Sequence, residues 1–161
     1  MDTYNWFFTT ATVRHARLEY LVALLALVAL AVAHAAQINW WLFAALFFYI
    51  DLVGTVPGTL AHMASSDKHI SRVHYLLYNI MHSALTQGAV VGVLCATIGW
   101  RWTYLAIPIH LCLDRGAFNN YLKPFGFQFV AARTPEFVTL QHTFAEAAGP
   151  ATDIQVLSGR S

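Results

Sequence analysis

The sequence predicts an all-α membrane protein: a bundle of four transmembrane helices followed by a short interfacial C-terminal helix. Three observations carry this. Of 161 residues, 58% are hydrophobic and 11% charged, well below the roughly 25% charged of a soluble domain. Four apolar stretches, Leu18 to Ala36, Trp40 to Ala61, Leu76 to Ile98 and Trp102 to Phe118, each approach the ~20 residues that cross a hydrocarbon core. The cations are also lopsided. Arg14, Arg17, Lys68, Arg72, Arg115, Lys123, Arg133 and Arg160 fall on one side of these stretches, and Arg101 alone on the other. The positive-inside rule then puts both termini and the loop between spans two and three in the cytoplasm, with the chain integral to the plasma membrane.

In order along the chain, residues 1 to 17 set Trp6, Phe7 and Phe8 beside Arg14 and Arg17, a mix suited to lipid headgroups and so to an interfacial anchor. Ala33-His34-Ala35 behind an apolar core imitates a secretory signal with its cleavage site, but the first span is expected to be retained. The connection Gln37 to Asn39 is short enough to make spans one and two antiparallel neighbours, with Trp40 and Trp41 at the outer interface. Gly54/Gly58 and Gly88/Gly92 have the spacing that lets spans two and three approach closely. Pro57 and Pro108 sit inside spans two and four and free carbonyls there. Cys95 and Cys112 fall within spans, where apolar packing is the expected role. Thr134 as N-cap, Pro135 at the first turn and Gly149-Pro150 as the stop predict a short helix, with Phe137, Leu140 and Phe144 on its apolar face. Residues 1–126 are thus the four-helix transmembrane domain, and 127–161 a cytoplasmic interfacial helix and tail.

Ionisable groups inside spans are costly and normally face a bundle interior with partners. Asp51 lies on span two, Asn79 and His82 on span three, and His110, Asp114 and Arg115 on span four. At a rise of about 1.5 Å per residue, Asp51 lies about 16 Å, His82 about 9 Å, His110 about 12 Å and Asp114 about 6 Å from the cytoplasmic boundary. His110 and Asp114 share a helix face, as do Asn79 and His82. Asp51 and His62 also share one, with Thr55 and Gly58 between them. Two imidazoles and two carboxylates at matched depth suit a divalent metal such as zinc, manganese or iron. Asp51, His82, His110 and Asp114 are the candidate ligands, three binding while the fourth acts as base or outer partner. In the competing reading the same groups are ion pairs and hydrogen bonds that hold the bundle of a non-catalytic accessory subunit. A b-type haem clamped by His82 and His110, and a carrier, are further alternatives. His62 is placed at the mouth of the site. His69 and His74 are expected to be solvated, and His15, His34 and His142 interfacial. A net charge of +1 offers no basic surface for nucleic acid. The expected partners are therefore the bilayer, a lipid-like substrate, and a second copy or a larger membrane complex.

The order Asp51-Leu52, Gly54 to Gly58, Tyr78-Asn79-x-x-His82, then His110-Leu111-x-x-Asp114-Arg115 and Leu122-Lys123 resembles a family of small bacterial four-helix membrane proteins of unassigned function. The resemblance covers about Tyr49 to Phe127. More distantly the arrangement is similar to bacterial membrane-bound metal-dependent hydrolases. That implies a bacterial inner membrane and a metal-activated water, and sets no substrate; for an enzyme with this site, metal-assisted hydrolysis of a lipid-like substrate entering from the inner leaflet is the expected reaction. Asp51, Asn79 and Arg115 would form the catalytic set, Asn79 orienting a ligand and Arg115 meeting an anionic group.

Overall fold

The computed structural model describes residues 10–125, 128–130 and 135–148. Among these every element is helical. Trp6 to Phe8, Thr134, Gly149-Pro150, the C-terminal tail and the side chains of Phe137 and Phe144 lie outside the described residues.

Helix α1, Thr10–Ala33, is built of Leu, Ala and Val after Tyr20. At about 1.5 Å per residue its length suits a bilayer core. Leu18, Val22, Leu25 and Val32 recur at helical spacing and stand exposed on one side of it, as a lipid-facing stripe does. A 3-10 turn, Ala35–Gln37, reverses the chain. Asn39 then caps α2, Trp40–Gly54, by accepting from the Leu42 amide at 3.0 Å. Its own N–H donates to Thr103 Oγ1 at 3.1 Å, tying this turn to the start of the fourth apolar stretch. Pro57 falls in the first turn of α3, Val56–Ala64, where its missing N–H costs no bond. Consequently α2 and α3 follow one another as a single apolar rod, Trp40–Ala64. In the loop after it, Asp67 takes the Ser65 hydroxyl at 2.6 Å and the His69 N–H at 3.1 Å, which holds its carboxyl below the usual range.

The third apolar stretch is not one helix. It divides into α4, Arg72–Met81, and α5, Ala84–Ile98, bent by 55° at His82-Ser83. Neither proline nor glycine causes the bend. Ser83 caps the new helix by accepting from Thr86 N–H, and the carbonyls released by the break find side-chain donors. Gln87 gives its amide to the Met81 carbonyl at 2.7 Å and accepts from the Tyr49 hydroxyl of α2. Arg115 donates to the His82 carbonyl at 3.1 Å. Two helices, α1 and the α2–α3 rod, are long and apolar enough to cross a membrane, and α4 with α5 makes a third if the bent pair is one span.

The fourth stretch is a 3-10 turn, Trp102–Leu105, then α6, Ala106–Leu113, then a π turn, Asp114–Phe118, that ends at Asn119 in the left-handed region with φ 57°. Among the described residues it is the most enclosed stretch. Thr103 to Ile107 and Ile109 to Leu111 are all buried, because α1, α2 and α5 all pack against α6. Ala31, Ile38, Leu105 and Ile109 form the core at the end near the Ala35–Gln37 turn, with Phe43 and Phe47 against them. At the other end Arg17 of α1 donates to the carbonyls of Gly116 and Ala117 at 2.9 and 3.0 Å. It therefore satisfies the π turn rather than acting only as a headgroup cation. Helix α7, Pro135–Ala148, begins at the expected proline.

The two glycine pairs behave differently. A Cβ on Gly54 would lie 2.9 Å from Met81 Cβ and 3.2 Å from the His82 ring, and one on Gly58 would enter the Phe129 ring. Gly88 and Gly92 meet nothing within 4 Å, so among the described residues that pair packs against no other element. Gly54→Ala is accordingly expected to cost about 1–3 kcal/mol by overpacking, read as a lower thermal midpoint in detergent. Gly88→Ala is expected to be neutral or to stabilise by up to about 1 kcal/mol through helix propensity.

Candidate metal centre

Each element delivers one polar group. The α2–α3 rod presents Asp51, the break between α4 and α5 presents His82, α6 presents His110, and the first residue of the π turn presents Asp114. One ligand atom from each of Asp51, His82 and His110 lies within 4.8 Å of the other two, a group fit to hold a metal ion. Asp114 lies beside this group, near both imidazoles. His82 Nε2 is 3.4 Å from Asp51 Oδ1 and 3.2 Å from Asp114 Oδ2, while His110 Nε2 is 3.8 Å from Asp51 Oδ2 and 3.4 Å from Asp114 Oδ2. Bonds of about 2.0–2.2 Å in a tetrahedron imply ligand-to-ligand edges of roughly 3.3–3.6 Å. Among the three ligand candidates, the His82–Asp51 distance of 3.4 Å falls in that range and the His110–Asp51 distance of 3.8 Å lies just above it.

The hydrogen-bond inventory says more than the distances. His82 Nδ1 lies 3.0 Å from the Tyr78 carbonyl, and a carbonyl can only accept, so Nδ1 carries the proton. In the neutral ring Nε2 is then a bare lone pair facing two carboxylate oxygens. That arrangement is repulsive unless a positive charge sits among them, either a proton on Nε2 or a metal ion. His110 Nδ1, His110 Nε2 and Asp114 Oδ2 are buried without a hydrogen-bond partner. The last two come within 3.4 Å of each other yet are not aligned as donor and acceptor. Buried orphan atoms are uncommon and call for an explanation such as an ion. Two neutral imidazoles and two carboxylates also leave a net charge of −2, which one divalent cation balances.

Surrounding groups hold the ligands in place. The Tyr78 ring stacks on His82 with centroids 4.0 Å apart and planes 11° apart, and Phe47 meets His110 edge-on at 4.8 Å. Thr55 donates its hydroxyl to Asp51 Oδ1 at 2.6 Å. Gly54 leaves room for the His82 ring. The side chains of His82, His110 and Asp114 are 5%, 3% and 10% exposed, while that of Asp51 is 42% exposed. The ligand set is therefore open only at Asp51, between the exposed apolar side chains of Phe48 and Leu52.

The remaining residues singled out in the sequence are placed as follows. Asn79 does not reach the four-residue cluster: its amide clamps Lys123, donating to the Lys123 carbonyl at 2.9 Å and accepting the Lys123 N–H at 2.7 Å. Arg115 gives one nitrogen to the Tyr20 hydroxyl at 3.0 Å and another to the His82 carbonyl at 3.1 Å. His62 is buried at the end of α3, its Nδ1 without a partner. His69 is exposed, as expected, whereas His74 Nδ1 is buried and unpartnered rather than solvated. His15 pairs with Glu19 at 3.3 Å, and His34 stacks on Trp102. Haem does not fit. Asp114 Oδ2 lies within 3.4 Å of both Nε2 atoms and so occupies the plane that a macrocycle clamped between them would need.

Sequence reasoning passed over Gln87 and Tyr49, which brace the break that carries His82. The available signal was a glutamine inside an otherwise apolar span. It also missed that Lys123 is half-buried, its Nζ donating to the Phe129 carbonyl at 2.7 Å and lying 4.6 Å from the Tyr78 ring centre. Burial pulls that ammonium below its ordinary value, with the Asp114 carboxylate acting in the opposite direction.

No family model, no curated protein and no solved structure matches this chain.

Proposed function

We propose that this chain crosses the bacterial inner membrane four times with both termini in the cytoplasm, and that it is a metal-dependent hydrolase acting on a lipid-like substrate. The observation that carries the metal is His82 Nε2 facing two carboxylate oxygens, together with the orphaned atoms of His110 and Asp114 around the same point. Asp51, His82 and His110 hold a divalent zinc, manganese or iron ion in this reading. Such an ion supplies Lewis acidity toward water and toward an ester or phosphoester oxygen.

The chain's own residues do the rest. Thr55 fixes the carboxylate of Asp51, the Tyr78 carbonyl fixes the tautomer of His82, and Phe47 and Tyr78 fix the two rings. Asp114 Oδ2 is the proton acceptor: it takes a proton from the attacking water and returns it to the leaving oxygen as the ester bond breaks. The half-exposed edge at Asp51, flanked by Phe48 and Leu52, favours a substrate that approaches from among acyl chains.

A second reading, a non-catalytic subunit of a membrane complex, draws support from Asn79 and Arg115, whose polar groups bond to the protein itself. Elemental analysis of the detergent-solubilised protein, with hydrolysis of ester and phosphoester lipids measured in parallel, separates the two. The hydrolase reading expects about one divalent ion per chain, and expects Asp114→Asn to lower turnover by at least about a hundredfold, within the range assigned to a general base. A metal-free protein with no turnover favours the subunit.

A further inference from the structure

We infer that the segment after the fourth apolar stretch is a positioning strap for the ligand His82, held at Lys123 by Asn79 and pressing through the Tyr78 ring onto the imidazole. The inference rests on the metal reading above and adds a residue, Lys123, that acts on the site without touching it.

Adjacent residues of α4 make both connections. Asn79 grips the strap through two hydrogen bonds to the backbone of Lys123, one given at 2.9 Å and one accepted at 2.7 Å. Tyr78, its neighbour, receives the Lys123 ammonium over one face of its ring at 4.6 Å and is stacked with His82 at 4.0 Å. Its carbonyl accepts His82 Nδ1–H. The orientation and the tautomer of the ligand are thus both set at Tyr78, and the position of Tyr78 is set in part by Lys123. The far end of the strap is anchored independently. Lys123 Nζ donates to the Phe129 carbonyl and lies 4.6 Å from the Phe129 ring. That ring is 1% exposed and fills the notch left by Gly58. An ammonium placed between two aromatic rings and bonded to a carbonyl is not free to bind a substrate anion, which leaves positioning as its role. Outer partners of this kind fix ring orientation and ligand basicity, and their loss typically costs 10- to 100-fold in metal affinity.

The test uses the full chain in detergent with Co(II) as probe, reading affinity by titration and ligand geometry by the visible absorption bands of the bound ion. Lys123→Met is expected to weaken Co(II) binding by about 10- to 100-fold and to shift those bands, while Lys123→Arg restores both by keeping a cation over the ring. If Lys123→Met does not yield folded protein, Phe129→Leu, which loosens the anchor, is read in the same way. Wild-type affinity with unchanged bands in the folded loosening variant overturns the strap and leaves the metal reading standing. Failure of the unsubstituted protein to bind one Co(II) overturns both.

Discussion

His110→Leu is expected to abolish stoichiometric metal binding while leaving the metal-free protein as stable as the parent, within about 1 kcal/mol. The first half follows from ligand count: losing one of two imidazoles from the set is expected to weaken binding by about a thousandfold or more, roughly 4 kcal/mol at 1.4 kcal/mol per decade. The second half follows from the hydrogen-bond inventory. Neither ring nitrogen of His110 has a partner in a buried site, so the metal-free fold carries an unsatisfied polar ring among carboxylates. Exchanging such a group for an apolar one of similar size is close to neutral or stabilising. The accessory-subunit reading predicts the opposite, because a histidine that holds the bundle together costs several kcal/mol when removed. Chemical denaturation of the metal-free protein and a metal titration, run on the same two samples, distinguish them.

Arg115→Met is expected to destabilise the fold by about 2–3 kcal/mol, the cost of leaving a buried acceptor without its charged donor, and to weaken metal binding as well. Arg115 joins three elements. It projects from the π turn, gives one nitrogen to Tyr20 of α1, and gives another to the carbonyl of His82, where α4 ends. Tyr20 also lies beneath the guanidinium, 5.2 Å from its ring centre. A helix broken within an apolar layer must satisfy the carbonyls it frees, and here the donors are the side chains of Gln87 and Arg115. Losing one lets the break relax and carries His82 away from Asp51 and Asp114. Lysine is not an adequate replacement, since a single ammonium cannot span both acceptors in the planar geometry of a guanidinium. The thermal midpoint in detergent measures the first effect, and the dissociation constant for Co(II) the second. A group needed only to bind an anionic substrate would change the Michaelis constant and leave both untouched.

The site was more legible in the sequence than the architecture around it. Carboxylates and imidazoles in apolar segments are conspicuous, and the helical rise was enough to place Asp51, His82, His110 and Asp114 at similar depth. The estimated depths spread over about 10 Å, whereas the side chains close that spread to ion-pair separations of 3.2 to 3.8 Å. The break at His82-Ser83 was not legible, because Leu76 to Ile98 is apolar on both sides of it and contains no proline. Only Ser83 and Gln87 hinted that a new helix begins there. The central place of α6 was hidden for a related reason: a helix buried among other helices and one facing lipid have the same hydropathy. Long-range partners left no local trace at all. Arg17 reads as an interfacial cation until the π-turn carbonyls, about a hundred positions away in the chain, are found beside it. Asn79 reads as a site residue until its amide is seen to hold Lys123. Gly54 and Gly88 have the same spacing from their partners in sequence, yet only the first meets another helix.

Anomalous X-ray scattering from crystals of the protein loaded with zinc or cobalt locates the ion directly. A single strong peak about 2.0–2.2 Å from Nε2 of both His82 and His110, with an oxygen of Asp51 completing the contact, is the predicted result. A crystal without density among these side chains, or with its ion bound only at the loop histidines, contradicts it.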